Sequence, residues 1–304
     1  MTNEQKLKNL EVPSGKIDVV LDTDAFNEID DQFAIAYLLK NKQKLNTVAL
    51  YAAPFLNDKS VSAEDGMLKS YDEINRLLRI MNEKVDVFKG SDRFLSNEDT
   101  PVISPAAEDL AMRAKNYSPE NPLYVVAIGA ITDIASAILL NPQVAENCVV
   151  VLLGGHAPYL NNSNEFNMKQ DIAAARIVFG SGVPLIHLPA LGVVCSFSIS
   201  GDELENWLVG KNPLADYLAK SAIKEAERCG QTGANWTRVI WDVTAIGWLL
   251  NDDNRFMRHF ITPVQLPTYD FTYEPPKDGT ALRYVYHIER NRLMNDLIKK
   301  LTEN

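Results

Sequence analysis

The chain has 304 residues, of which 46% are hydrophobic and 23% charged, and its formal net charge is −10 at pH 7. This length is ample for a large hydrophobic core, and the composition is that of an ordinary globular protein, which excludes an intrinsically disordered chain. The acidic balance argues against binding to nucleic-acid polymers, which needs basic patches, but it does not exclude small nucleotide-like substrates.

Several features bear on cellular location. The most apolar segment, 123–140, is interrupted by polar residues, so no membrane span is predicted. Residues 1–16 are polar and lack the apolar core of a secretory signal. The widely spaced Cys148, Cys195 and Cys229 fit neither a disulfide framework nor a zinc site. We therefore expect a cytoplasmic protein with neither a membrane nor a nucleic-acid polymer as partner, in which any metal would need oxygen ligands.

The first two-thirds of the chain alternates predicted strands with predicted helices. Short apolar runs predict the strands, and apolar residues at helical spacing predict the helices. This alternation predicts βαβ units, and therefore an α/β fold with a mainly parallel, Rossmann-like central sheet flanked by helices. The predicted elements are strand 17–21, helix 30–40, strand 47–51, helix 63–81, strand 85–88, a helix from 105, strand 123–128, helix 132–140, strand 148–153, helix 171–179 and strand 184–188.

The last third is less regular, but no shift in composition marks a boundary, so we predict a single domain over residues 1–304. In the earlier part of the chain, helix N-caps are predicted at Ser62, Ser104 and Thr132, with Pro105 at the first position of its helix. The predicted elements of the last third are helices 201–208, 214–228 and 242–250, strands 258–265 and 282–286, and a terminal helix over 291–301.

An acidic segment directly follows the first predicted strand. Asp22, Asp24, Glu28, Asp30 and Asp31 fall within ten positions. In open parallel sheets, ligands bind beyond the C-terminal ends of the strands. Two unit charges about 4 Å apart repel by about 4 kcal/mol at an effective dielectric near 20, so this crowding favours a neutralising cation held by oxygen ligands. A fully solvated acidic loop with a helix cap is the alternative.

Four segments, spread over about 17–250, resemble those of the nucleoside hydrolases, the inosine–uridine type N-ribohydrolase family. The first is similar to the family's Asp-Thr-Asp-Pro-Gly-Ile-Asp-Asp signature, although five residues, 25–29, stand here where the family commonly has three. The other three are similar to the family's Gly-Pro-Leu-Thr-Asn-Ile-Ala, Met-Gly-Gly…Glu-Phe-Asn and His-Asp or Trp-Asp segments. The matching residues are Asp22-Thr23-Asp24 with Asp30-Asp31, segment 128–135, segment 150–155 with Glu165-Phe166-Asn167, and Trp241-Asp242.

The resemblance implies a metal site and a general base. Asp24, Asp31, Asp242 and the main-chain carbonyl of Thr132 would bind one Ca²⁺, a cation that suits carboxylate and carbonyl oxygens. The ion would lower the pKa of a water molecule, and Asp24 would accept the proton of that water as it attacks the anomeric carbon.

The resemblance also implies how the ribose is held. Asp30, Glu165 and Asn167 would bind its hydroxyl groups, with Asn161 as a further substrate-binding residue. Loss of the base proceeds through an oxocarbenium-like transition state, whose positive charge a fixed group of carboxylates stabilises. Ordinary loop positions are the alternative for Glu165 and Asn167, and a helix N-cap is the alternative for Asp242.

Trp241 decides the implied substrate type. Family members that act on both purine and pyrimidine nucleosides have His at this position as the leaving-group acid, whereas purine-preferring members have Trp, which stacks on the base. Trp241 therefore implies purine ribonucleosides, and a core aromatic is the alternative. The leaving-group acid is left unassigned, with His156 as a candidate.

These features predict Ca²⁺-dependent hydrolysis of the N-glycosidic bond of ribonucleosides, and the resemblance implies a homodimer or homotetramer. One alternative is a catalytically inactive Ca²⁺-dependent binder of nucleosides or sugars. The other is a haloacid-dehalogenase-type phosphatase with Asp22 as nucleophile and Mg²⁺ bound, although Phe26 departs from that pattern.

Overall fold

The structure, a computed structural model, describes residues 1–233 and 235–303. Its central feature is a sheet of eight strands, with a separate two-stranded sheet beside it. The strands are β1 (Ile17–Thr23), β2 (Leu45–Ala52), β3 (Val87–Lys89), β4 (Leu123–Ala127), β5 (Cys148–Leu153), β6 (Leu185–Leu188), β7 (Ser198–Ser200), β8 (Thr237–Val239), β9 (Met257–Val264) and β10 (Lys277–Ile288).

Helices connect the strands. Short 3-10 turns cover 114–116, 158–160, 194–196 and 252–254. Within the described ranges, no helix is both long enough and apolar enough to span a membrane. The α-helices are α1 (Asn3–Asn9), α2 (Asp30–Leu39), α3 (Ala63–Met81), α4 (Pro105–Arg113), α5 (Thr132–Leu140), α6 (Gln143–Asn147), α7 (Phe166–Gln170), α8 (Ile172–Gly180), α9 (Gly201–Trp207), α10 (Pro213–Arg228), α11 (Val243–Leu249) and α12 (Arg290–Thr302).

The strand order of the large sheet creates a crevice at its centre. The order is β3-β2-β1-β4-β5-β6-β10-β9, with all neighbours parallel except the antiparallel pair β9 and β10. The chain runs outward from β1 to β3, returns to β4 beside β1, and then runs outward on the other side. The C-terminal ends of β1 and β4 therefore meet at a topological switch point, where α/β proteins bind their ligands.

The predicted α/β class and mainly parallel sheet are confirmed. Strands β4 and β5 are buried along their whole length, as expected for strands covered on both faces. The predicted bounds of helix 63–81 and strand 148–153 are exact. Ser62 and Ser104 accept the predicted capping hydrogen bonds from Asp65 N–H and Ala107 N–H.

The predicted N-cap at Thr132 is wrong. Ile131 is the N-cap of α5, and Thr132 is the first helical residue. The Thr132 hydroxyl instead donates to Asp171 Oδ2 at 2.8 Å. This contact with a distant residue replaces the capping hydrogen bond that the residue type predicts. Helix α1, capped by Thr2, was not among the predicted elements.

Gly129 allows the ends of β1 and β4 to approach each other closely. A Cβ atom at this position would lie 2.9 Å from Ala53 Cβ and 3.0 Å from the backbone nitrogen of Asp24. Both distances are too short for a carbon atom, and one neighbour is backbone that cannot move without shifting Asp24. Gly129 therefore sets the spacing between the two segments that border the crevice.

We expect Gly129→Ala to lower the free energy of unfolding by about 1–3 kcal/mol, because overpacking forces the backbone apart. Gly180→Ala is the matched control, since its Cβ would meet nothing closer than 3.8 Å and alanine is the better helix former. Urea denaturation of both variants measures the difference. Equal stability changes would contradict the close approach at Gly129.

Candidate active site

Six carboxylate side chains line a cavity of about 280 Å³ at the C-terminal ends of β1, β4 and β5. They come from three separate parts of the chain. The six are Asp24, Glu28, Asp30, Asp31, Glu165 and Asp242. The rest of the wall is formed by Asn27, Ile128, Leu153, His156, Asn164, Phe166, Asn167, Ala190, Leu191 and Trp241.

Asp30, Asp31 and Asp242 form a compact group of acidic side chains. One ligand atom from each lies within 4.8 Å of the others, and all three residues are buried. Asp30 and Asp31 begin α2, and Asp242 directly precedes α11, which packs against α2. The backbone N–H of Asp242 donates to Asp30 Oδ2 at 3.4 Å. Packing between two helices thus joins residues more than 200 positions apart.

Asp242 does not act as a helix cap through its side chain. It occupies the N-cap position of α11, yet its carboxylate makes no capping hydrogen bond. The carboxylate lies instead with those of Asp30 and Asp31. This arrangement disfavours the purely structural alternative for Asp242.

The crowding of carboxylates raises their pKa values. The pKa values of Asp24, Asp30 and Asp242 are each raised well above the ordinary value. Burial is the largest cause, and the charges of neighbouring carboxylates are the second. Burial raises the pKa of Asp31 to about 6, while hydrogen bonds from Thr23 and Asp242 limit the shift. Without a nearby positive charge, ionisation of these groups is therefore disfavoured.

These residues fit a hard divalent cation. Within the described residues, Asp24 Oδ2 is buried and has no hydrogen-bond partner. The donors in the group are carboxylate oxygens, which suit Ca²⁺ or Mg²⁺ rather than zinc or copper. The hydroxyl of Thr132 is already hydrogen-bonded to Asp171. A role for the Thr132 carbonyl as a metal ligand stays a prediction.

Asp22 does not line the cavity, although it belongs to the same motif. Both of its carboxylate oxygens are buried without a hydrogen-bond partner in the described part of the chain. Burial and then the charge of Asp133 raise its pKa well above the ordinary value. A phosphatase nucleophile must reach its substrate, so this position argues against the phosphatase alternative.

The Glu165 carboxylate is held by backbone N–H groups. It accepts hydrogen bonds from Asn167 N at 2.9 Å, Gly155 N at 2.8 Å and Met168 N at 3.0 Å, and so caps α7. Burial raises its pKa, and these bonds oppose the rise. Three backbone donors fix the orientation of a carboxylate that faces the cavity.

Asn167 is anchored by backbone carbonyls at the ends of two strands. Its Nδ2 donates to the carbonyl of Ile128 at 3.0 Å and lies 3.4 Å from that of Leu153. These carbonyls follow or end β4 and β5, so the sheet itself positions the side chain. With Nδ2 engaged, Oδ1 is the group that Asn167 can offer to a ligand.

Trp241 and His156 both line the cavity. His156 is buried, and its Nδ1 accepts a hydrogen bond from Leu191 N at 3.3 Å. Burial lowers the pKa of His156, which keeps the ring neutral at neutral pH. This environment disfavours His156 as a proton donor to a leaving group.

Asn161 is not among the residues that line the cavity. It lies on an exposed loop in the left-handed backbone region, with φ 45°, and its Oδ1 accepts from Tyr273 N at 3.4 Å. Asn164 lines the cavity instead, as do Asn27 and Glu28, none of which the sequence analysis assigned. Asn161 and Asn164 lie in one long loop between Gly155 and Glu165, and the sequence does not show which of them reaches the cavity. Glu28 could have been predicted as a cavity residue, because it belongs to the acidic segment after β1.

Comparison with known proteins gives a consistent match. The family model described as "Inosine-uridine preferring nucleoside hydrolase" matches residues 19–281, which confirms the resemblance found in the sequence. A pyrimidine-specific ribonucleoside hydrolase, RihA of Citrobacter koseri, is 29% identical over 50% of this chain. This chain spans about half the length of that relative, 51%.

Two further proteins extend the match. The non-specific ribonucleoside hydrolase RihC of Salmonella enteritidis is 28% identical over 79% of this chain and 80% of its own length. The solved structure of a purine-preferring ribonucleoside hydrolase from Gardnerella vaginalis superposes with a TM-score of 0.70 at 16% identity, covering 94% of this chain and 98% of the other. The structural likeness shows a shared fold.

We expect Asp242→Asn to stabilise the chelator-treated protein by about 1–2 kcal/mol at pH 7.5, because it removes one of several mutually repelling buried carboxylates. The same variant should lose the increase in Tm that Ca²⁺ gives the wild type. Thermal unfolding with Ca²⁺ and with EDTA measures both effects. Asp202→Asn, on the exposed start of α9, is the control with the same charge change. An undiminished Ca²⁺ response of Asp242→Asn would exclude Asp242 as a ligand.

Cation binding should weaken as pH falls. The pKa of Asp31 is raised to about 6 in the metal-free protein, so below pH 6 a proton must leave this carboxylate before a cation binds. The proton on Asp31 alone should lower the affinity by about tenfold from pH 7 to pH 5, and the raised pKa values of Asp24 and Asp242 add to this loss. Calorimetry in buffers of different ionisation enthalpy measures the affinity and the protons released. A Kd independent of pH, with no proton release, would contradict the site.

Proposed function

We propose that this chain, which belongs to the inosine-uridine preferring nucleoside hydrolase family, hydrolyses the N-glycosidic bond of ribonucleosides with the help of Ca²⁺. One observation carries the proposal: residues implied by three of the four sequence segments meet in a single cavity, and the remaining segment contributes Ile128 to its wall. The acidic group at α2 and α11 faces the same space as Glu165, Asn167 and Trp241.

The aspartates would hold the cation and generate the nucleophile. Asp24, Asp31 and Asp242, with the carbonyl of Thr132, would bind Ca²⁺. When bound, the cation offsets part of the negative charge of the carboxylates and makes a nearby water molecule more acidic. Asp24, whose Oδ2 has no partner among the described residues, would accept the proton of the attacking water.

The remaining polar residues would orient the ribose and stabilise the transition state. Asp30, Glu165 and Asn167 would hold the sugar hydroxyls. Glu165 and Asn167 are fixed by backbone groups before any substrate arrives, so they need not reorganise during the reaction. A fixed negative field favours the oxocarbenium-like transition state over the neutral substrate.

Trp241 supports a preference for purine ribonucleosides. It lines the cavity next to Asp242, where its ring can stack on a large flat base. The two relatives are named as pyrimidine-specific and non-specific, so the purine preference rests on Trp241 in this chain. Asp24 in the position of the general base favours an enzyme over the alternative of an inactive nucleoside-binding or sugar-binding protein.

The oligomeric state and the location of the protein stay predictions. A homodimer or homotetramer, implied by the resemblance, would be tested by light scattering coupled to size-exclusion chromatography. A cytoplasmic location would be tested by fractionation of the source cells.

We expect Asp24→Asn to lower kcat by about 10²- to 10⁴-fold, the usual contribution of a general base. Ribose release from inosine, adenosine, guanosine, uridine and cytidine, with Ca²⁺ and after chelation, measures activity and base preference. Calorimetry of the variant with Ca²⁺ separates loss of the base from loss of the cation, and Asp202→Asn is the control. Unchanged turnover would exclude Asp24 as the base, and the absence of ribose release from any nucleoside would overturn the substrate class.

A further inference from the structure

The lengthened loop 25–29 places a carboxylate at the cavity that the shorter family signature has no position for. Glu28 lines the cavity, and its side chain is 45% exposed. Arg238 Nη2 lies 3.5 Å from Glu28 Oε2, yet Arg238 is not among the residues that line the cavity. Glu28 therefore contributes a carboxylate to the cavity wall, whereas its cationic partner Arg238 does not.

The loop is anchored on several sides, so the position of Glu28 is defined. Asn27 N donates to Asp24 O at 2.7 Å, which closes a turn directly after β1. Lys59 Nζ donates to Asn27 O at 2.7 Å and pairs with Glu225 of α10 at 2.9 Å. The Ala25 carbonyl accepts from the side chain of Gln32 at 2.9 Å.

Among the described residues, the charged side chains that line the cavity are all negative. The described wall contains six carboxylates and no lysine or arginine. A divalent cation bound by the aspartates offsets only two negative charges. The excess favours ligands that carry a positive charge and opposes anionic ones.

The cavity also lacks an evident acid for the leaving group. A base that departs from a neutral riboside takes the electron pair of the N-glycosidic bond and needs a proton or a strong hydrogen bond. Apart from the carboxylates, the described wall consists of apolar and aromatic side chains, three asparagines and the neutral His156. None of these groups is a protonated acid at neutral pH.

We infer that the preferred substrates are ribosides whose base carries a fixed positive charge, such as N-ribosylpyridinium or N7-alkylated purine ribosides, and that Glu28 is a residue that determines this specificity. The inference rests on the proposed function and names its substrate class.

The reaction of such a substrate balances without an acid. The oxygen of water forms a bond to C1′ of the ribose, and its proton passes to Asp24. The bond between C1′ and the ring nitrogen breaks, and its electron pair neutralises the positive charge of the base. The base leaves as a neutral molecule, while Trp241 offers the cationic ring a π-face in the ground state.

The test compares ribosides that have a cationic base with ribosides that have a neutral base. The value of kcat/KM is measured for 7-methylinosine against inosine, and for nicotinamide riboside against uridine, in the presence of Ca²⁺. The wild type should favour the cationic member of each pair. In Glu28→Gln this preference should fall by about three- to tenfold, a modest factor because the half-exposed Glu28 is screened by solvent.

Intrinsic lability of the cationic substrates is the same for every variant, so the ratio of the two preferences isolates the effect of Glu28. Glu205→Gln, which removes an exposed carboxylate of α9 outside the cavity, should leave the preference unchanged. Raising the salt concentration should reduce the preference of the wild type more than that of Glu28→Gln. Calorimetric binding of 1-methylnicotinamide against nicotinamide gives the same comparison without turnover.

Three outcomes decide the matter. A cationic preference that falls in Glu28→Gln and persists in Glu205→Gln supports the inference. Efficient cleavage of inosine or uridine with no cationic preference, or a preference that Glu28→Gln leaves intact, overturns the inference while the proposed function stands. If no riboside is cleaved, the proposed function fails and the substrate assignment fails with it.

Discussion

Repulsion between buried carboxylates is the constraint on which this molecule depends. Asp30, Asp31 and Asp242 bring ligand atoms within 4.8 Å of one another in a buried setting. When both members of such a pair are ionised, they repel each other by about 3–4 kcal/mol at an effective dielectric near 20, whereas a helix N-terminus stabilises an acidic residue by only about 0.3–1 kcal/mol. Since a whole domain is stable by about 5–15 kcal/mol, the group requires protons or a cation. Burial and the same repulsion therefore account for the raised pKa values of these aspartates and for the proposed Ca²⁺ site.

The parts of the fold and site that could be predicted from sequence are those fixed by strand order and by local chemistry. Strand 148–153 is a continuous apolar run because both of its faces are covered, and its predicted bounds are exact. The cap at Ser104 is equally local, since its hydroxyl meets an N–H three residues on. Parallel strands that share one edge bring the segments after β1 and β4 together, so the aspartates that follow β1 were placed at the cavity from the sequence alone.

The parts that could not be predicted depend on contacts between distant segments. Thr132 has the residue type of an N-cap, but Asp171 takes its hydroxyl, and no local pattern reveals that partner. Asn161 and Asn164 are three positions apart in one loop, and the 3-10 turn at 158–160 together with a left-handed residue decides which of them faces the cavity. The position of Glu28 likewise depends on contacts with Lys59 and Arg238, far away in the chain.

The lengthened loop also explains how a binding site can vary without loss of its catalytic group. Two extra residues next to a cluster of aspartates would displace them if the insertion pushed on β1 or α2. The turn that Asn27 closes onto Asp24 and the bond between Gln32 and Ala25 absorb the extra length between two fixed points. The aspartates before and after the loop keep positions set by the sheet and by the packing of α2 against α11. Residues within the loop are therefore free to change the charge presented to a substrate, and Glu28 is the residue through which this chain does so.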